Sequence, residues 1–188
     1  MNNDPGASDE FALSLLDEAK RFLEKARGES SEDGRTAFLH AGLLLAFCSF
    51  EAHINAMSED FAEGMRDLST HDKGILTERE VALEDGEFVL RDKFKMIRLE
   101  DRVRFICKRF AKKRPVDFSN SSAWWNKLSN AIRLRNDLTH PKSAVLINVK
   151  MVESAIEGII GTLDAIYLGI YGRPFPAVGM QLDSSLTF

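Results

Sequence analysis

Thr36-Ala37-Phe38-Leu39-His40-Ala41-Gly42-Leu43-Leu44-Leu45-Ala46-Phe47-Cys48-Ser49-Phe50 is the longest uncharged stretch of the chain, and its reading decides the fold. It contains His40, Gly42 and Ser49 and falls short of the roughly 18 apolar residues that a membrane span requires. It therefore reads as the centre of a core helix, Arg35 to Met57. Because that helix is hydrophobic nearly all round, it should run through the middle of a bundle. His40 and His53 are then expected to be buried and hydrogen-bonded rather than ligands, and Cys48 to be an inert core thiol.

The segments on either side fit a bundle of about five helices. Residues 1–7 read as a flexible leader, after which Ser8 caps a helix ending at Gly28, with Phe11, Leu15, Ala19, Phe22 and Ala26 as its apolar face. Helix continues beyond Met57 through Phe61 and Met65 to Leu68, and Thr70 to Gly74 breaks the pattern. Between residues 81 and 90 the pair Asp85-Gly86 favours a small hairpin over a further helix. Arg98 to Lys112 is helical again, with Leu99, Val103, Phe105, Ile106 and Phe110 facing inward. A helix beginning at Ser121 or Ser122 carries Trp124, Trp125, Leu128 and Ile132 and ends at His140, since Pro141 disfavours helical geometry there. Asn148 caps the last helix, which Gly172-Arg173-Pro174 ends. The chain thus reads as all-α, with one helical domain over residues 8–172 and a loosely attached tail over residues 173–188.

With 44% hydrophobic and 29% charged residues, the 188-residue chain is that of one ordinary globular domain. Two isolated cysteines and four histidines give no disulfide framework and no zinc-ligand spacing, and no motif demands a cofactor. No secretory leader or membrane segment is legible, which makes the cytoplasm the expected compartment. The net charge of −4 is unevenly spread: residues 95–142 hold 13 Lys+Arg against 4 Asp+Glu, or +9, leaving −13 on the rest. A basic quarter inside an acidic protein is evidence about partners, while the net charge argues against indiscriminate nucleic-acid binding.

Leu134-Arg135-Asn136-Asp137-Leu138-Thr139-His140-Pro141-Lys142 carries the chemistry. A guanidinium can hold a phosphate bidentately, and an imidazole can move a proton near neutral pH. On a helix Asn136 and His140 share a face, while Arg135 and His140 lie about 140° apart. The arrangement resembles the HEPN superfamily, whose R-x(4–6)-H motif, often with a polar residue after the Arg, marks metal-independent endoribonucleases. Phe47-Cys48-Ser49-Phe50-Glu51-Ala52-His53-Ile54-Asn55 is similar to the earlier bundle helix of that family, in which an acidic residue faces the site.

The resemblance implies a symmetric homodimer whose two motif helices meet at a shared cleft. RNA would be cut by its own 2′-hydroxyl, with His140 as base or acid, Arg135 stabilising the pentacovalent phosphate and Asn136 positioning a phosphate or the imidazole; no metal is needed. By spacing alone Asp137 could orient the ring, and Glu51 could pair with Arg135 or Arg133. A role as a toxin or phage-defence ribonuclease, or as a toxin held by a regulatory protein partner, follows from the same likeness. Family members paired with a nucleotidyltransferase antitoxin often carry a Tyr just after the His; Pro141, Lys142 and Ser143 stand there instead, which speaks against that pairing.

Plainer readings stand beside these. Arg135 and His140 could only pair with neighbours and cap a helix C-terminus, leaving a non-catalytic interaction module. Lys108, Arg109, Lys112, Lys113 and Arg114, with Arg133 and Lys142, could contact an RNA backbone or simply be solvated. Trp124 and Trp125 could stack bases, although adjacent aromatics at a helix start usually place one ring in the core.

Overall fold

The structure is a computed structural model that describes residues 5–119 and 121–188, with side chains described from Asp9 onward. Six α-helices and one two-stranded hairpin follow in the order α1 (Pro5–Gly28), α2 (Glu32–Gly64), α3 (Thr70–Leu76), β1 (Arg79–Glu84), β2 (Glu87–Phe94), α4 (Leu99–Phe110), α5 (Ala123–Thr139) and α6 (Val149–Ile170). Helix is therefore one element richer than the sequence suggested. The missed element is α3, where Ser69 and Asp72 form a reciprocal capping box across the segment read as a breaker.

The uncharged stretch does form the central helix, but α2 starts three residues earlier than expected and stops at Gly64, short of Leu68. Ser31 accepts a hydrogen bond from the Gly34 amide, which places Asp33 and Gly34 in the first turn, and the helix runs unbroken for 33 residues to Gly64. Leu39, Leu43, Ala46, Phe50, Ile54 and Met57 face the core at 4% exposure or less. Among the described residues it is the one helix long and apolar enough to cross a membrane, and half of its most apolar window is buried in the bundle.

Along its length α2 packs on α1, and of the expected stripe Ala19 and Ala26 are buried and Leu15 and Phe22 half-buried. Ala12, Leu16, Ala19, Leu23 and Ala26 are buried, while Phe11 is 61% exposed. Ala12, Leu16 and Leu23 carry the rest of the contact, and the Ala12 carbonyl accepts a hydrogen bond from the Ser49 hydroxyl of α2 at 2.6 Å. The helix also starts at Pro5, a residue suited to a first turn, so Ser8 lies inside it; residues 1–4 of the expected leader fall outside the described residues.

Helices α5 and α6 pair antiparallel. A Cβ on Gly158 would stand 2.7 Å from the Leu128 amide nitrogen, and one on Gly161 would stand 2.8 Å from the Trp124 Cβ, so the two glycines set how closely α5 seats. Trp125 is buried in the core and Trp124 half-buried, with the rings 5.9 Å apart.

The hairpin spans residues 79–94, further than the 81–90 of the sequence reading, and turns on Asp85 and Gly86 with φ of +48° and +88°. Two positive φ values at the central positions are the geometry of a type I′ turn. Its neck is tied by Glu78, whose carboxylate accepts from the Ile97 amide at 3.1 Å and from Arg102 at 3.1 Å.

The segment after α6 is not loosely attached. Phe175 is buried at 1% exposure against His53 and Tyr167, and its amide donates to Asp164. Further on, Ser184 and Ser185 donate to Glu24 and Asp17 of α1, and Arg21 donates to the Phe188 carbonyl at 2.8 Å. Burial pushes the Asp17 carboxyl up, but hydrogen bonds from Ser185 and Ser184 outweigh it and hold the group below its ordinary value. Aperiodic sequence concealed this docking because it is made by polar groups rather than by an apolar stripe.

Candidate functional site

Arg135 lies one turn before the end of α5, where the helix passes the middle of α2. Its Nη2 donates to the Glu51 Oε1 at 2.7 Å, and its guanidinium carbon stands 5.1 Å from the centre of the Phe47 ring. Of the two arginines weighed as partners for Glu51, Arg135 is the one paired with it, while Arg133 points outward and is exposed. The pair is not deeply buried, with side chains 24% and 46% exposed, so its electrostatic worth is about 1 kcal/mol or less. Phe47 and Glu51 are one turn apart on α2 and hold the guanidinium from two directions. The Arg135 Nε is buried and has no hydrogen-bond partner among the described residues.

His140 sits beyond the last turn as the C-cap of α5, with φ of −130° imposed ahead of Pro141. Its amide donates to the Asn136 carbonyl at 2.9 Å, and its ring is exposed. Asn136 and Asp137 are exposed as well, and among the described residues no hydrogen bond joins the Asp137 carboxylate to the imidazole. The proposed orienting contact is thus absent from this single chain.

Arg135 and Asn136 open onto a cleft of about 410 Å³ between α2, α4, α5 and the neck of the hairpin. Glu51 and Asn55 come to it from α2, Glu100 and Arg102 from α4, and Phe94, Met96 and Arg98 from the end of the hairpin. His140 is not among the residues that line it. The sequence reading missed this cleft, since no local pattern relates residues 51, 78, 100 and 135; the alternation of Lys93 and Lys95 with Phe94 and Met96 was an available signal.

The basic residues singled out in the sequence do not form one surface with Arg135. Lys113 and Arg114 donate their amides to the Gly169 carbonyl at the far end of α6, whereas Leu134 shares a groove with Ala155. Fourteen residues of helix separate those two points of α6, or roughly 20 Å at 1.5 Å per residue. Lys108, Lys112, Lys113 and Arg114 are exposed at that far end, and Lys142 is exposed just after the motif. Arg109 is engaged by Asp67 at 3.1 Å and Asp72 at 3.7 Å, which makes it a clamp between α4 and α3 rather than a free cation.

Cys48, expected in the core, is exposed, as are Ala37 and Leu44 on the same side of α2. These three residues form a small apolar stripe that leads to Glu51. His53 fulfils its expected role: it is 1% exposed, and its Nδ1 lies 2.9 Å from the Ser49 carbonyl. His40 is half-buried, and its Nε2 finds no partner among the described residues. Among the described residues no group of three or more His, Cys, Asp or Glu side chains converges as metal ligands.

No family model, curated protein or solved structure matches the chain.

Proposed function

We propose that the chain is a HEPN-like, metal-independent endoribonuclease that works as a homodimer. The observation that carries this reading is the anchoring of Arg135 by Glu51 and Phe47 beside a cleft, with Asn136 next to it and His140 exposed at the end of the same helix. An arginine fixed in this way keeps donors for a phosphate, while an exposed imidazole can accept or donate a proton. The acidic residue that the family likeness places opposite the motif is Glu51. Two-fold pairing through the Ala37, Leu44 and Cys48 stripe would bring a second motif helix to the first. The open, one-sided disposition of His140 would then become a closed site.

In this mechanism Arg135 neutralises charge on the phosphate as the adjacent 2′-hydroxyl attacks it. His140 takes the hydroxyl proton or returns one to the leaving 5′-oxygen, and the products carry 2′,3′-cyclic phosphate and 5′-hydroxyl ends. A role in defence or as a toxin under a protein partner is the biological setting that the same likeness suggests. One observation favours a second reading, a non-catalytic RNA-binding or interaction module: Arg135 is already paired and stacked, as a purely structural arginine would be.

Purified protein incubated with single-stranded RNA separates the two. Arg135→Ala and His140→Ala should each remove most cleavage, at least a hundredfold, and the double variant should lose little more, because groups acting as one catalytic unit are not additive. Cleavage should persist in EDTA. RNA that stays intact but bound would establish the binding module, and RNA neither cut nor bound would leave the motif structural.

A further inference from the structure

Three guanidinium–carboxylate pairs stand in the wall of the Arg135 cleft beside apolar Ile97, Leu99 and Ile132: Arg135 with Glu51 at 2.7 Å, Arg102 with Glu78 at 3.1 Å, and Arg98 with Glu100 at 3.2 Å. Such a wall carries no net charge, so it gives a second phosphate no electrostatic reason to enter. It does offer donors and acceptors side by side, to which Asn136 adds an amide. At the mouth stand Phe94, 69% exposed, and Met96, 78% exposed, on the segment that leaves β2. Lys93 and Lys95 alternate with them, and Arg98 follows after Ile97. A flat, neutral group with apolar faces and an edge of mixed donors and acceptors matches both features, and its volume is small beside about 410 Å³.

We infer that this cleft seats an unpaired nucleobase of the RNA, stacked on Phe94 at the mouth and read along its edge by Glu100 and Asn136, next to the phosphate held at Arg135. The inference rests on the RNA reading of the site and adds to it a place for one unpaired base. A base inside a duplex has both faces stacked and its edge paired, and cannot enter. Aromatic stacking tolerates any base, while the polar wall gives the cleft a means of preferring one edge over another.

The test uses the full chain carrying His140→Ala, so that RNA is bound without being cut. Fluorescence anisotropy is read with a labelled single strand, with the same strand in a duplex, and with nucleoside monophosphates as competitors. Phe94→Ala, a change at an exposed position that the core does not feel, should weaken single-strand binding on the order of tenfold. It should leave duplex binding and the salt dependence unchanged, since no phosphate contact is lost. Phe94→Trp should restore affinity, and monophosphates should compete only at far higher concentration than the single strand.

Equal single-strand affinity with and without Phe94→Ala overturns the base cleft and leaves the nuclease reading standing if the His140 chain still cuts. Phe94-dependent binding without cutting by the His140 chain keeps the cleft and removes the nuclease. A monophosphate that binds as tightly as the strand reassigns the cleft to a free nucleotide and overturns the RNA form. A chain that binds no RNA loses both readings.

Discussion

His53 shows how a single buried residue ties the fold to pH. Burial in the core lowers its pKa, against smaller opposing effects of the Ser49 carbonyl and Asp9. The neutral ring donates its Nδ1–H to Ser49 and lies 5.2 Å from the Phe175 ring, edge-on, so a proton added there has no acceptor waiting. In the unfolded chain the group titrates near pH 6.5. The unfolded state therefore binds more protons below that pH, and stability rises with pH across this window and falls as pH drops through about 6.5. Urea melts between pH 5.5 and 7.5 should show this loss on acidification. His53→Gln should flatten the slope while costing about 1–3 kcal/mol at pH 7.5 through imperfect refilling of the site. An unchanged slope in the variant would assign the pH dependence to other groups.

Among the elements, α5 matters most, because its seat on α6 decides where Arg135 points. Gly158→Ala places a methyl 2.7 Å from the Leu128 amide nitrogen and 2.9 Å from the Lys127 carbonyl carbon, and backbone atoms cannot turn aside as a side chain can. The helices must part, at a cost of about 1–3 kcal/mol. A melt should register that loss, and RNA cleavage should fall further than the loss of folded protein accounts for, since Arg135 moves away from Glu51. Activity that simply follows the folded fraction would show that the site tolerates the shift. The start of α6 at Asn148, the end of α5 before Pro141 and the turn at Asp85-Gly86 were legible in sequence because each is fixed by a local backbone preference. The capping box of α3 was equally local, yet Gly74 hid it by reading as a breaker. The face of α1 was legible only in part, since Phe11 of the expected stripe is exposed and Ala12, Leu16 and Leu23 beside it are buried. Of the site, Arg135 with Glu51 was within reach of the sequence. The cleft was not, being assembled from four elements.

For the whole molecule, the two cysteines report whether the stripe on α2 meets a second copy. Cys107 is buried, and burial pushes its thiol up to about 12, while Cys48 is exposed. A thiol reagent should titrate one cysteine per chain in the native protein and two after denaturation. If copies pair through Ala37, Leu44 and Cys48, the rate at Cys48 should fall as protein concentration rises through the dimer range, in step with a doubling of mass by light scattering. A rate independent of concentration would place the dimer contact elsewhere or remove it.

The clasp between α1 and the segment through Phe188 joins groups 167 residues apart. On a ribosome adding about 5–20 residues per second, Asp17 and Arg21 would emerge roughly ten to thirty seconds before their partners. Within that interval α1 and α2 can pair, and once α6 has emerged the hollow walled by His53 and Tyr167 stands open and wet until Phe175 follows. A nascent chain stalled after α6 would therefore offer chaperones and proteases an apolar recess that the folded domain never exposes, and the arrival of Phe175 ends that vulnerability.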